Sequence, residues 1–103
     1  MEKSKKKFLK QYLFQQSKII RLQQMIKMHP ERKNLYLKQI KECEETRILI
    51  EETISTVDDE LLKEVLTLKY LCGKTLEETA LIINYSKRHT ERLHSKALAK
   101  LDI

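Results

Sequence analysis

Residues 75–88 read Thr75-Leu76-Glu77-Glu78-Thr79-Ala80-Leu81-Ile82-Ile83-Asn84-Tyr85-Ser86-Lys87-Arg88. Thr75 and Glu78 have the spacing of a capping box, in which a hydroxyl and a carboxylate satisfy free N–H groups at a helix start. A short helix therefore opens at Thr75 and runs to about Ile83. Asn84-Tyr85 breaks it, because Asn tolerates the left-handed conformation that a tight turn between helices needs. Ser86 can cap a second helix, on which Thr90, Leu93, Ala97 and Leu101 share one face with Leu98 beside them. A turn of about four residues between two such helices, the second opening with cations, is the pattern of a helix-turn-helix. Ala80 is small where the helices must cross, Ile83 and Tyr85 are expected to bracket the turn with core contacts around Asn84, and Leu93 locks the second helix down.

The other face of that second helix carries Lys87, Arg88, His89, Glu91, Arg92, Ser95 and Lys96. Its N-terminal turns can enter a major groove, where guanidinium groups and amines meet base acceptors, so double-stranded DNA is the expected partner. Glu91 has three open roles: accepting from a cytosine amine, orienting a neighbouring arginine, or pairing with Lys87 or Ser95 along the helix. His89 is expected at a phosphate and His94 at the helix edge. Five residues apart, they point in different directions, and no metal site is expected.

Upstream, Ser55-Thr56 before Asp58-Asp59-Glu60 reads as the start of a third helix running from about Val57 to Cys72, with Gly73 placed as a left-handed C-cap. From Lys5 to Met28, Phe8, Tyr12, Ile19, Leu22 and Ile26 recur at helical spacing, widened by Leu9, Leu13 and Ile20. His29-Pro30 ends that helix. Pro30 can open the next, whose apolar positions Tyr36, Ile40, Cys43, Ile50 and Ile54 are interrupted by Arg47. Two long helices joined so closely fold back as an antiparallel hairpin. The polar slots Gln15 and Arg47 make it a weak coiled coil, which must lean on the C-terminal half or on a second copy. The stripe Phe8, Tyr12, Ile19, Leu22 and Ile26, with Leu9, Leu13 and Ile20 alongside, is broader than one partner helix needs to cover, so it is expected to bind a protein partner, a homodimer being the commonest solution.

The whole chain agrees with an all-α protein of five helices, divided as a hairpin over 1–55 and a helix-turn-helix module over 56–103. It has 103 residues with one Gly and one Pro, and 35% of them are charged. Sheets need more turn formers, and Gly-rich phosphate cradles need several residues without Cβ. No catalytic grouping stands out, so neither an enzyme nor a cofactor is expected. Cys43 and Cys72 are far apart, and neither a signal peptide nor a membrane span is visible, which points to a reduced, soluble protein of the cytoplasm. The net charge of +6 is uneven: +7 over residues 1–29, −1 over 30–55, −3 over 56–79 and +3 over 80–103. The Lys3 to Lys10 cluster is a solvated end, a phosphate clamp or a handle for an acidic partner, and the sequence does not choose among them.

Residues 57–101 resemble region 4 of bacterial sigma factors. The shared features are Leu68-Lys69-Tyr70, Gly73, Thr75-Leu76-Glu77-Glu78-Thr79-Ala80, Ser86 and Lys96-Ala97-Leu98-Ala99-Lys100-Leu101. Tyr85-Ser86-Lys87-Arg88-His89 and Arg92-Leu93-His94 are similar to the small ArpU-like late-transcription regulators of phages and mobile elements, which also pair a helical N-terminal half with this module. Thr90 departs from the family's usual Val or Ile. Nothing in the chain corresponds to region 2, so a complete sigma factor is not expected. The resemblance implies duplex recognition by Lys87, Arg88, Glu91 and Arg92, possible docking on bacterial RNA polymerase by the third helix, and transcriptional activation in the host cytoplasm. A small terminase-like packaging protein and a protein-binding inhibitor of a transcription regulator are the rival readings.

Overall fold

The computed structural model describes residues 2–103, which form five helices and no strand among those residues. Helix α1 spans Glu2–Met28 and α2 spans Lys33–Ser55, joined by a 3-10 turn over Pro30–Arg32. His29 sits at φ −133°, outside the helical region, as its place before a proline requires. The two helices return on each other as the predicted hairpin. Its far end is held by Ile19, Leu22, Tyr36, Ile40 and Cys43, with Met25 and Ile26 packed against them.

Helix α3 is shorter than the sequence suggests. It covers Glu60–Leu66 and continues as a π-helical turn over Thr67–Leu71. Its cap is Asp59, whose carboxylate accepts from Leu62 N–H at 3.0 Å, not the expected Ser55-Thr56 pair. Those two hydroxyls point the other way: Ser55 Oγ donates to Glu52 O and Thr56 Oγ1 to Thr53 O, both at 2.6 Å. They close α2, because unsatisfied carbonyls at its end lie within reach of their short side chains. After the π-helical turn, Gly73 adopts φ +71° and Lys74 N–H donates back to Leu68 O at 2.9 Å, the expected left-handed cap. A Cβ at Gly73 would stand 3.1 Å from Leu13 Cδ1, so this loop also seats against α1.

Helices α4 (Leu76–Ile83) and α5 (Lys87–Lys100) complete the chain. Leu9 and Tyr12 of α1, Ile50 and Ile54 of α2, Val57, Leu62, Leu66 and Tyr70, and Ala97, Leu98 and Leu101 form one buried cluster. Apolar core therefore runs without interruption across position 55/56. Of the two supports open to the hairpin, the C-terminal half supplies one inside the same chain.

Candidate nucleic-acid interface

The helix-turn-helix is assembled by hydrogen bonds between near neighbours. Thr75 Oγ1 accepts from Glu78 N–H at 3.1 Å while Glu78 Oε1 accepts from Thr75 N–H at 3.0 Å, the reciprocal capping box. The second bond, a backbone N–H on a carboxylate, holds the Glu78 pKa below the usual carboxylate value. Asn84 is left-handed at φ 63°, and Tyr85 N–H reaches Ala80 O at 3.1 Å across the turn. Ser86 Oγ then caps α5 by accepting from His89 N–H at 3.1 Å.

Ala80 is buried at the crossing and Leu93 packs against the main core, as expected. Ile83 is half-buried. Tyr85 is a correction: it is 44% exposed rather than a core residue. The left-handed Asn84 reverses the chain just before it, and its ring lies over the first turn of α5, 4.8 Å from the His89 ring. Thr90 is wholly buried where an aliphatic residue is usual, yet it leaves no orphan hydroxyl, since Oγ1 donates to Ser86 O at 2.8 Å.

All seven side chains named for DNA contact are exposed, but they fall into separate groups. Arg88, Glu91, Arg92 and Ser95 line one open hollow of about 420 Å3 on the free side of α5. Lys87 is tied across the motif to Glu77 at 2.7 Å, and Glu91, for which pairing with Lys87 is one of three open roles, makes no ion pair with it within 4 Å. The Lys87–Glu77 hydrogen bond holds the Glu77 pKa below and the Lys87 pKa above their usual values. His89 stacks on Tyr85. Lys96 lies elsewhere, around a hollow shared with Asp58, Asp59 and Lys100.

Two features escaped sequence reading. His94, expected at the helix edge, is only 6% exposed, and its Nε2 shares a 2.7 Å hydrogen bond with Tyr70 Oη. Burial, then the nearby ammonium groups of Lys69 and Lys6, push its pKa down to about 4. Thr79 is wholly buried with its hydroxyl unpartnered, and nothing in its sequence context signals that.

The residues offered as a partner face on α1 also need correction. Tyr12, Ile19 and Leu22 are buried, Ile26 and Phe8 are packed against the two cores, and all five are occupied inside the chain. The stripe is broad because α1 meets α2 along its length and the π-helical turn and α5 towards its N-terminal end. Arg47 completes this packing: its guanidinium lies 4.9 Å from the centre of the Tyr12 ring and donates to Tyr12 Oη at 3.2 Å, while Tyr12 Oη donates to Glu51 Oε1 at 2.6 Å. The exposed apolar residues on the hairpin include two flanking members of that stripe, Leu13 and Ile20, together with Phe14, Ile48 and Leu49.

With this geometry in place, comparison with known families is direct. Residues 59–102 match the family model for Sigma-70, region 4. The matched segment begins at the Asp59 cap of α3 and takes in the π-helical turn, the capping box, the turn at Asn84 and all of α5. This segment is a sigma region 4-like helix-turn-helix, similar to a family of DNA-binding regulatory domains. The hairpin before residue 59 lies outside the match. No curated protein and no solved structure matches the chain. Among the described residues, no helix is long and apolar enough to cross a membrane.

Proposed function

We propose that this protein is a sequence-specific transcription regulator of phage or mobile-element genes, working in the bacterial cytoplasm and activating by contact with host RNA polymerase. The observation that carries the reading is the open face of α5, where Arg88, Glu91, Arg92 and Ser95 surround one hollow on a helix fixed from behind by Thr90, Ala97 and Leu98. Rigid backing with free guanidinium groups is what base readout in a major groove requires. Phage origin rests on the resemblance of Tyr85 to His89 and Arg92 to His94 to ArpU-like regulators. Polymerase contact rests on the region 4 likeness of α3 and its π-helical turn. A protein partner of the hairpin, a second copy included, would meet Phe14, Ile20, Ile48 or Leu49 rather than the buried stripe.

Arg88→Ala and Arg92→Ala test the reading of α5. Each is expected to weaken binding to a duplex selected by the wild type by about 1–3 kcal/mol while random duplex is bound nearly as before. Equal losses on both duplexes would remove these residues from base readout. For activation, immobilised RNA polymerase core and holoenzyme are expected to retain the protein. Selective duplex binding without any polymerase association would leave a DNA-binding protein that is not an activator of this kind.

A further inference from the structure

Lys3, Lys6, Lys7 and Lys10 follow one another at intervals of three, one and three residues, so α1 carries them on a single stripe. Together they line an open hollow of about 270 Å3. Lys5 belongs to a different set. Its ammonium donates to Leu98 O at 2.9 Å and Leu101 O at 3.0 Å, closing the C-terminus of α5 and fixing α1 to that helix. The lysine stripe is thus held rigidly relative to the helix whose other end faces the groove.

The stripe is also joined electrostatically to the helix-turn-helix. Lys69 on the π-helical turn feels both Lys10 and Lys6; burial first, then those two charges, push its ammonium below the usual lysine value. Glu77 also acts on Lys69, in the opposite sense, and its carboxylate is taken by Lys87 at the start of α5. None of the ion pairs His29–Glu31, Lys63–Glu60 and Lys87–Glu77 involves a lysine of the stripe. Crowded like charges destabilise a compact chain unless an outside anion compensates them.

We propose that Lys3, Lys6, Lys7 and Lys10 form a second contact for the phosphate backbone of the duplex that α5 enters, extending the footprint beyond the helix-turn-helix. This rests on the reading of α5 as the helix that meets DNA. A duplex fits the stripe better than the other polyanions because Lys5 fixes the stripe to α5, the helix read here as the one that meets DNA. The hollow is lined by lysines alone, without the aromatic or aliphatic side chains by which a helix seats itself in a lipid surface.

The test uses the full chain with four substitutions, Lys3→Gln, Lys6→Gln, Lys7→Gln and Lys10→Gln, beside the same four positions changed to Arg. Binding is measured by fluorescence anisotropy on a wild-type-selected duplex and on a random one, across salt from about 50 to 200 mM. The Gln variant is expected to bind both duplexes roughly 10–100-fold more weakly at the lowest salt, with unchanged preference and a log–log salt slope shallower by about two to four. The Arg variant is expected to match wild type, and circular dichroism to show both folded. Wild-type affinity and slope in the Gln variant would overturn the proposal, as would a loss confined to phosphatidylserine vesicles or to polyglutamate. A wild type with no duplex affinity would instead remove the DNA reading itself, and this contact with it.

Discussion

Leu9→Ala is expected to destabilise the chain by about 2–5 kcal/mol, and to release the helix-turn-helix together with the hairpin. Leu9 belongs to α1, far in sequence from the DNA-contacting face, yet it is fully buried among Leu66, Tyr70, Ala97, Leu98 and Leu101. Removing its isopropyl end opens a cavity between α1 and α5 that those neighbours, already close-packed, can fill only in part. Urea unfolding followed by circular dichroism is expected to show one transition in both wild type and variant, displaced to lower urea in the variant. Ile20→Ala, at a 54% exposed position of the same helix, is expected to shift it far less. Two separate transitions, with only the hairpin sensitive to Leu9, would show that the core is not shared.

Acid is expected to weaken the fold through His94. Its pKa is about 4 in the folded chain against an ordinary value of 6.5, so the unfolded chain binds the additional proton between these limits. The stabilising contribution of the neutral ring is therefore complete above pH 6.5 and is lost as pH falls through the window toward 4. By linkage the loss between pH 7 and pH 5 is about 2 kcal/mol. Protonation would put a cation beside Tyr70 in a nearly sealed site, with Lys69 and Lys6 nearby and no acid among the groups that shift it. Comparing urea midpoints at pH 7 and pH 5 for wild type and His94→Gln isolates this contribution from that of the carboxylates, which both proteins share. The variant is expected to lose distinctly less stability over that interval. An identical pH response would mean that His94 does not govern it.

Both effects concern contacts that sequence reading could not place. Leu9 and Leu13 are the same residue type on one helix, four positions apart, and periodicity puts both on the apolar stripe. The structure buries the first completely and leaves the second 37% exposed beside the Gly73 loop. Lys5 looks like any member of a basic cluster until its bonds to carbonyls 93 and 96 residues away are seen. His94 acquires its environment from Tyr70, 24 residues upstream. The partner face read from Phe8, Tyr12, Ile19, Leu22 and Ile26 failed as an exposed surface for the same reason: a count of apolar positions on one helix does not reveal how many other helices cover it.

What the sequence by itself determined is the local part of the protein. The capping box at Thr75 and Glu78, the left-handed Asn84, the Ser86 cap and the Gly73 terminus all depend on groups within six residues of each other, and all stand where the chain spells them. The helix break at His29-Pro30 is equally local, being a steric restriction on one residue by the next. Tertiary structure alone decided which lysine holds α5 and which stay in solvent, and that Lys87 and Lys96 are drawn away from the hollow that Arg88 and Arg92 share. Those outcomes depend on distances between segments remote in sequence, and such distances exist only once the helices have packed.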